Sequence, residues 1–178
     1  SGQRTQGIAK ALERATGAII RCKAAGAACT CGVRALIDVC EKVFADQGDI
    51  RLRRRAFELL EYNAVGACAD AAGLQRIIRI CVQASSQRNM PYEYSLHTLD
   101  AVAHSRTSDT ATREAVLMAI MGLIRRSGES GFRPQLLNDP ARSELLYDAT
   151  VCVARLVPLV AFDIGASLSL VRAAREIF

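Results

Sequence analysis

Four side chains with metal-binding or acid–base chemistry recur along one predicted helix at intervals of four, three and four residues. They are Glu93, His97, Asp100 and His104, and they include both histidines of the chain. Such intervals place residues on one helix face, and carboxylates and imidazoles are zinc ligands. Residues spread over about three turns of one helix cannot all converge on one ion. We therefore interpret the set as a solvated helix face, with a metal site or an enzyme as the alternative.

Cysteines are the second group of residues with metal-binding or redox chemistry. Seven occur in the chain, at Cys22, Cys29, Cys31, Cys40, Cys68, Cys81 and Cys152. Cys40, Cys81 and Cys152 lie in apolar runs, where a free thiol packs like a small hydrophobic side chain in the core. Cys29-Thr30-Cys31 matches no common zinc spacing. An odd number of cysteines in such positions favours a reducing compartment. The sequence therefore predicts free cysteines, no cofactor and an intracellular protein, cytoplasmic or nuclear.

Arginine carries most of the positive charge of the chain. The formal net charge is +5, and three of the 23 basic residues are lysines. Arginine groups bind phosphates and carboxylates, and the candidate basic face consists of Arg51, Arg53, Arg54, Arg55, Arg76 and Arg79. Glu58 and Glu61 partly neutralise this face, and no aromatic residues interleave with it for base stacking. Binding of nucleic acid through this face is therefore the alternative function.

Apolar residues follow the helical period over most of the chain, and no segment alternates over more than a few residues as a strand would. Turn residues, prolines and aspartate caps punctuate this pattern, with Asp49 and Asp109 among the predicted caps. We predict helices over residues 3–22, 33–44 and 50–65, after Gly73, from Pro91, from Asp109 to about Arg126, after Asp139 and after Asp163. Arg54 and Glu58, one turn apart in the third helix, are positioned to form an ion pair.

The predicted helices form a single domain over residues 1–178, with one long loop near residues 127–138. Leu145 to Val160 is largely apolar, which predicts a central, buried helix with a kink or an end at Pro158. The longest apolar stretch, Ala149 to Phe162, is interrupted by Arg155 and Pro158 and is too short to span a bilayer. The sequence therefore predicts no membrane partner.

The helices recur at a nearly constant interval along the chain. One apolar motif occurs three times, 41 and then 42 positions apart, as Val33-x-x-Leu36-Ile37, Leu74-x-x-Ile77-Ile78 and Val116-x-x-Ala119-Ile120. The helices that follow the first two copies start at Ile50 and Pro91, again 41 positions apart. A helix pair that repeats at about 40 residues is typical of armadillo and HEAT arrays.

Local sequence extends the likeness to these repeats. Asp49-x-x-Leu52-Arg53-x-x-Ala56 and Asp109-x-x-Thr112-Arg113-x-Ala115 resemble their arrangement of a loop aspartate, a helix arginine and a core alanine. Residues 109–126 resemble an inner-face helix of such a unit. The resemblance covers roughly Val33 to Arg126. It implies an all-α fold, an α-solenoid of stacked antiparallel helix pairs, and a protein–protein interaction scaffold that binds a protein or peptide.

Two features qualify what the resemblance implies. The chain has no Trp, and Asn63 is its only plausible ladder asparagine, so the main-chain clamp of peptide-binding armadillo proteins is not implied. The last predicted helix ends at Ile177-Phe178, whereas the ends of solenoids need polar caps. This apolar edge predicts a contact surface, either for further repeats or for self-association through the C-terminal helix.

Overall fold

The computed structural model describes residues 2–27, 29–45, 49–67, 70–85, 92–129 and 140–160. Within these ranges the regular structure is entirely helical, which confirms the predicted all-α class. The helices are α1 Gly2–Ala24, α2 Thr30–Ala45, α3 Ile50–Leu59, α4 Ala71–Ser85, α5 Tyr92–Ala103, α6 Thr110–Glu129 and α7 Pro140–Val160. Helix α3 continues into a π-helical turn over Leu60–Val65.

Aspartate side chains precede three of the helices as N-terminal caps. The carboxylates of Asp49, Asp70 and Asp109 accept hydrogen bonds at 2.8, 2.7 and 2.7 Å from backbone N–H groups two or three residues further on. These N–H groups have no partner within the helix itself, so the caps stabilise the helix starts. The caps at Asp49 and Asp109 were predicted. The cap at Asp70 was missed, because the sequence prediction started α4 after Gly73 and the helix starts at Ala71.

We expect the cap at Asp109 to make stability depend on pH in acid. Hydrogen bonds from the side chain and backbone of Thr112 hold the pKa of Asp109 below its usual value of 3.8. A carboxylate with a lowered folded-state pKa stabilises the fold above its unfolded pKa, and this contribution is lost as the pH falls through the folded-state value. Asp109→Asn keeps an acceptor but loses the charge. Its deficit in urea denaturation relative to the wild type should therefore shrink between pH 7 and pH 3. An unchanged deficit would contradict this account.

Alternate helices of the chain pack side by side. Helix α2 packs against α4, and α4 packs against α6. On the other side α1 packs against α3, α3 against α5 and α5 against α7. The described helices therefore form two rows, α2–α4–α6 and α1–α3–α5–α7, and one continuous hydrophobic core lies between the rows.

Buried residues recur at matching positions along the row α2–α4–α6. The matching sets are Val33, Leu36, Ile37 and Cys40, then Leu74, Ile77, Ile78 and Cys81, then Val116, Ala119, Ile120 and Leu123. Successive sets are 41 and 42 positions apart. The residues of the apolar motif found in the sequence are therefore core residues in all three helices.

The row α1–α3–α5–α7 repeats at other intervals. Ala56, Phe57, Leu60 and Ala64 match Ser95, Leu96, Leu99 and Ala103, which lie 39 positions later and are also buried. In turn, the α5 residues Leu96, Leu99 and Ala103 match three buried residues of α7 that lie 53 positions later, namely Ala149, Cys152 and Leu156. The predicted interval of 41 joined the helix starts, and α3 starts at Ile50 while α5 is described from Tyr92. The core residues of α3 and α5 match at the shorter interval of 39, because packing depends on which residues face the core.

Helix α7 is half exposed, and the prediction of a central, buried helix is wrong for the described residues. Its buried stripe has the period of one helix face and consists of Ala149, Cys152, Leu156 and Val160. Tyr147 is 71% exposed, and Val151 and Leu159 also face solvent. The helix continues past Pro158. The sequence prediction counted apolar residues on both faces, but α7 packs mainly against α5 and α6 within the described chain.

Two further predictions fall partly or wholly outside the described residues. Helix α6 extends to Glu129, so the predicted loop starts later than residue 127, and its residues 130–138 are not described. The helix predicted after Asp163, with the edge at Phe178, also lies outside the described residues.

Candidate functional site

The six arginines of the predicted basic face do not form one surface. Arg51, Arg54 and Arg55 are exposed on α3, whereas Arg76 and Arg79 belong to α4 in the other row. Arg53 is only 4% exposed, so its assignment to the basic face is wrong. It precedes Ala56 and Phe57 by three and four residues and so lies on the buried face of α3. Its charge suggested a surface position, whereas its spacing places it on the core side.

The exposed arginines of α3 make contacts within the fold. Nη1 of Arg55 donates a hydrogen bond to Oε2 of Glu58 at 2.8 Å, so Glu58 pairs with Arg55 rather than with the predicted Arg54. The guanidinium of Arg54 lies 5.9 Å from the centre of the Tyr94 ring, within the range of a cation–π contact. The Arg54–Tyr94 contact joins α3 to α5, and the Arg55–Glu58 ion pair within α3 leaves less unpaired positive charge than the sequence suggested.

Arg76 joins α4 to α2 through two carboxylates. Its Nε and Nη2 donate to the two carboxylate oxygens of Glu41 at 2.9 and 2.7 Å, and Nη2 also donates to Asp38 at 2.5 Å. The hydrogen bonds from Arg76 lower the pKa of Glu41, and its bonds to Glu41 and Asp38 raise the pKa of Arg76. Arg76 therefore holds two helices of one row together. It is not an open anion-binding group.

Three residues of the predicted metal or acid–base set lie along α5 and His104 directly follows the helix, and the four side chains do not converge. Glu93 and His97 are exposed. Nδ1 of His104 lies 3.4 Å from Oδ1 of Asp100, and Oδ2 of Asp100 accepts a hydrogen bond from Arg155 of α7 at 3.3 Å. Among the described residues, no group of three or more His, Cys, Asp or Glu side chains is close enough to hold a metal ion. In the structure, Asp100 links α5 to α7.

The described cysteines are free thiols that differ in exposure. Cys40 and Cys81 are fully buried at matching positions of α2 and α4, and burial raises the pKa of both thiols far above the ordinary range. Cys152 is also buried, and burial together with the nearby Asp100 carboxylate raises its pKa to about 11. Cys31 is exposed at the start of α2. The predicted core role of the first three is confirmed.

We expect N-ethylmaleimide to separate these thiols by rate. The reagent attacks the thiolate, and the thiols of Cys40 and Cys81 are both buried and protonated. At pH 7.5 the native chain should therefore be labelled at Cys31 within minutes, and at Cys40 and Cys81 only after urea unfolds it. Peptide mass spectrometry of both samples measures this. Equal labelling of Cys40 with and without urea would show that the core is open.

A cleft of about 560 Å³ lies between α4 and α6 and is open to solvent. It is lined by Ile78, Val82, Ala115, Met118, Ala119, Gly122 and Arg125. Small residues at three positions of α6 leave space beside the branched side chains of α4. Met118 is 54% exposed there, although an apolar side chain of this size is stabilised by burial. We call this cleft the α4–α6 groove.

The α4–α6 groove was not predicted from the sequence, although a signal for it was present. The predicted stripe of α6 ran through Val116 and Ile120. A second apolar set, at residues 115, 118, 119 and 122, follows the same three- and four-residue spacing on a neighbouring face. When a helix has apolar residues on two faces, one face packs against the core and the other indicates a second contact surface.

A second cleft lies beside the π-helical turn and is more polar. It has a volume of about 620 Å³ and is lined by Glu61, Tyr62, Val65, Gly66, Ala101, His104, Ser105 and Arg106. Tyr62 is 72% exposed. π-Helical turns often occur at functional sites. This cleft contains acidic and basic side chains together, so its charge does not select one kind of ligand.

Comparisons with protein-family models, with curated proteins and with solved structures return no match to the chain. None of the described helices has the length and apolar character needed to cross a bilayer.

Proposed function

We propose that the chain is an armadillo- or HEAT-like α-solenoid whose stacked antiparallel helix pairs act as a protein–protein interaction scaffold. The observation that carries this proposal is the side-by-side packing of alternate helices, with core residues that recur every 41 or 42 positions along α2, α4 and α6. Stacked pairs of this kind produce an extended surface on each side of the array. Such a surface supplies contact area for a partner without any reactive group.

The turn between α5 and α6 supports the resemblance to these repeats. Asp109 caps α6, and Nε of Arg113, one turn further on, donates a hydrogen bond at 3.3 Å to the carbonyl oxygen of Ala103 at the end of α5. The loop aspartate and the helix arginine thus both act at the turn that joins two antiparallel helices. The two residues that extended the likeness to the family in the sequence thus both have a structural role at this turn.

The α4–α6 groove is the surface that best fits a protein partner. It is lined mainly by apolar atoms from two helices of one row, and it exposes Met118. Methionine side chains are flexible and polarisable, and they are frequent at surfaces that bind peptides. We propose this groove as the binding site of the scaffold.

A display library of random 16-residue peptides, selected against the full chain, tests the scaffold function. We expect enriched peptides that bind the folded chain saturably in solution and do not bind the urea-unfolded chain. The unfolded control excludes peptides that merely adhere to apolar sequence. A selection that yields no saturable binder, from this library and from a second one of folded helical peptides, would overturn the proposal.

We expect nucleic acid to bind weakly and only at low salt. The exposed cations of α3 are few, and Arg55 is paired with Glu58. Arg51→Glu with Arg54→Glu replaces exposed residues, and it avoids the buried Arg53. Fluorescence anisotropy of a labelled DNA duplex should show affinity that falls steeply between 50 and 200 mM salt, because the release of counterions from the DNA gains less entropy at higher salt. Tight binding that survives physiological salt, and is lost in this variant, would favour the nucleic-acid function.

Two further parts of the proposal concern location and assembly. Buried free thiols are compatible with a reducing compartment, so we propose an intracellular location.

Self-association through the helix predicted after Asp163 stays a prediction. Light scattering of the chain and of Phe178→Asp tests it, and a monomer that does not change with concentration or with the substitution would contradict it.

A further inference from the structure

The outward face of α1 carries a row of three cations. Lys10, Arg14 and Arg21 are exposed, and their spacings of four and seven residues place them on one face of the helix. Nη1 of Arg21 would lie 3.3 Å from a Cβ atom placed at Gly17, so its guanidinium turns back along the helix towards Arg14. The row spans roughly 16 Å at 1.5 Å per residue, or about three helical turns. We call these three residues the α1 cation row.

The α1 cation row is not neutralised within the described part of the chain, where its side chains form no hydrogen bond or ion pair. Glu13 is the only acidic residue of α1, so it can offset at most one of the three charges. The acidic residues of the neighbouring helix α2 are Asp38 and Glu41, and both accept hydrogen bonds from Arg76. The row therefore retains positive charge that is available to an anionic partner.

An apolar groove lies beside the α1 cation row, between α1 and α2. It has a volume of about 440 Å³ and is open to solvent. Arg14, in the middle of the row, is one of its lining residues, together with Ala11 and Ala18 of α1 and Ala35 and Val39 of α2. The row therefore follows one edge of this groove, and the short alanine side chains leave space in which a partner can bury larger apolar side chains. We call it the α1–α2 groove.

We propose that the α1–α2 groove binds an acidic amphipathic helix of a partner protein, with its carboxylates beside Lys10, Arg14 and Arg21. Carboxylates form strong charge-assisted hydrogen bonds with arginine, and unpaired cations along one edge oppose a cationic partner. The apolar groove favours such a helix over nucleic acid, because a phosphate backbone has no aliphatic side chains to bury there. The inference goes beyond the proposed function, since it adds a second surface that does not depend on the α4–α6 groove.

Three fluorescent 16-residue peptides without cysteine test the inference. The acidic amphipathic peptide carries Leu at intervals of three and four residues and Glu at the flanking positions. The basic amphipathic peptide has Lys in place of Glu, and the acidic polar peptide has Ser in place of Leu. In anisotropy titrations at 150 mM salt, we expect the first to bind saturably and at least tenfold more tightly than either of the others.

Each comparison between peptides tests one part of the assignment. Equal affinities for the acidic and the basic amphipathic peptide would show that the α1 cation row does not select the partner. Equal affinities for the two acidic peptides would show that the attraction is purely electrostatic and that the groove is not used. Either result would overturn the inference.

Cys31 reports on occupancy of the groove, because it is exposed and is one of the lining residues. A saturating concentration of the acidic amphipathic peptide should slow the alkylation of Cys31 by N-ethylmaleimide at least fivefold, as measured by peptide mass spectrometry at short reaction times. An unchanged rate would place the peptide elsewhere and refute the assignment. So would an alkylation rate that rises on dilution of the chain without peptide, because a second copy would then cover the groove.

Charge reversal tests the role of the cations. Arg14→Glu with Arg21→Glu should weaken binding of the acidic amphipathic peptide at least tenfold and strengthen binding of the basic one. Arg51→Glu with Arg54→Glu, on α3, changes the net charge by the same amount and is the matched control, which should bind as the wild type does. Equal weakening in both variants would indicate attraction to the overall charge and contradict the inference. If circular dichroism shows that the first variant unfolds, Arg14→Gln with Arg21→Gln replaces it and should weaken binding at least threefold.

Competition separates the α1–α2 groove from the α4–α6 groove and from a nucleic-acid site. A display-selected peptide whose binding is abolished by Met118→Asp should not displace the acidic amphipathic peptide. If it does, and Cys31 is not protected, both peptides share the α4–α6 groove, so the scaffold function stands and this inference fails. A DNA duplex that protects Cys31 at 150 mM salt better than the acidic amphipathic peptide does would assign the surface to nucleic acid and likewise overturn the inference.

Discussion

Phe57→Ala is expected to destabilise the fold by about 3–5 kcal/mol, the cost typical of emptying an aromatic core position. The Phe57 ring is buried, with its centre 4.7 Å from that of Phe44 in α2 and 6.2 Å from that of Tyr94 in α5. It therefore contacts both rows of helices at once. The side chains around Phe57 belong to both rows of helices and cannot all move in to fill the cavity that the substitution leaves. The part of the destabilisation that comes from the unfilled cavity is therefore large.

Urea denaturation followed by circular dichroism measures this loss. Phe57→Leu is the matched control, because it keeps most of the apolar volume and should cost clearly less. Tyr62→Ala, at an exposed position, should change the free energy of unfolding by less than about 0.5 kcal/mol. A loss below about 1 kcal/mol for Phe57→Ala would contradict the packing of the two rows against each other.

Gly32→Val is the second substitution expected to have a large effect, with a loss of about 1–3 kcal/mol from overpacking. A Cβ atom at Gly32 would lie 2.9 Å from Cγ1 of Ile19 and 3.2 Å from its backbone nitrogen. The first contact is shorter than packed carbon atoms allow, and the second involves the backbone of α1, which cannot rotate away. The absence of a side chain at residue 32 thus allows α1 to approach α2 closely.

Gly7→Ala is the matched control for this prediction. Gly7 lies inside α1, and no atom lies within 4 Å of a Cβ placed there. Alanine has a higher helix propensity than glycine, so this variant should gain about 0.5–1 kcal/mol. Thermal unfolding of the two variants should shift in opposite directions. If Gly32→Val were as stable as the wild type, the close approach of α1 to α2 would not be part of the fold.

The helices and most of the core could be predicted from the sequence because they depend on local pattern. Apolar residues with a period of three and four identified the buried faces of α2, α4 and α6, and short-range hydrogen bonds to Asp49 and Asp109 fixed two helix starts. The spacing of a residue predicted its burial better than its type did. Arg53 follows the core period and is buried, although it is charged.

The candidate site was harder to predict because it depends on contacts between distant residues. Arg76 is neutralised by Glu41 and Asp38, which are 35 and 38 positions earlier in the chain. Their proximity follows from the packing of α2 against α4. Met118 offered a local signal, since it belongs to a second apolar face of α6. That face forms a groove only because α4 packs alongside it.

Hydrogen–deuterium exchange of the full chain, with and without a display-selected peptide at saturating concentration, tests the central claim most directly. Amides exchange more slowly where a partner covers a helix and suppresses its opening. The account predicts slower exchange in α4 and α6 when the peptide is bound, with α1 and the π-helical turn unchanged. Slower exchange confined to α3 or to the π-helical turn, or no change in any segment, would contradict a scaffold that binds its partner in the α4–α6 groove.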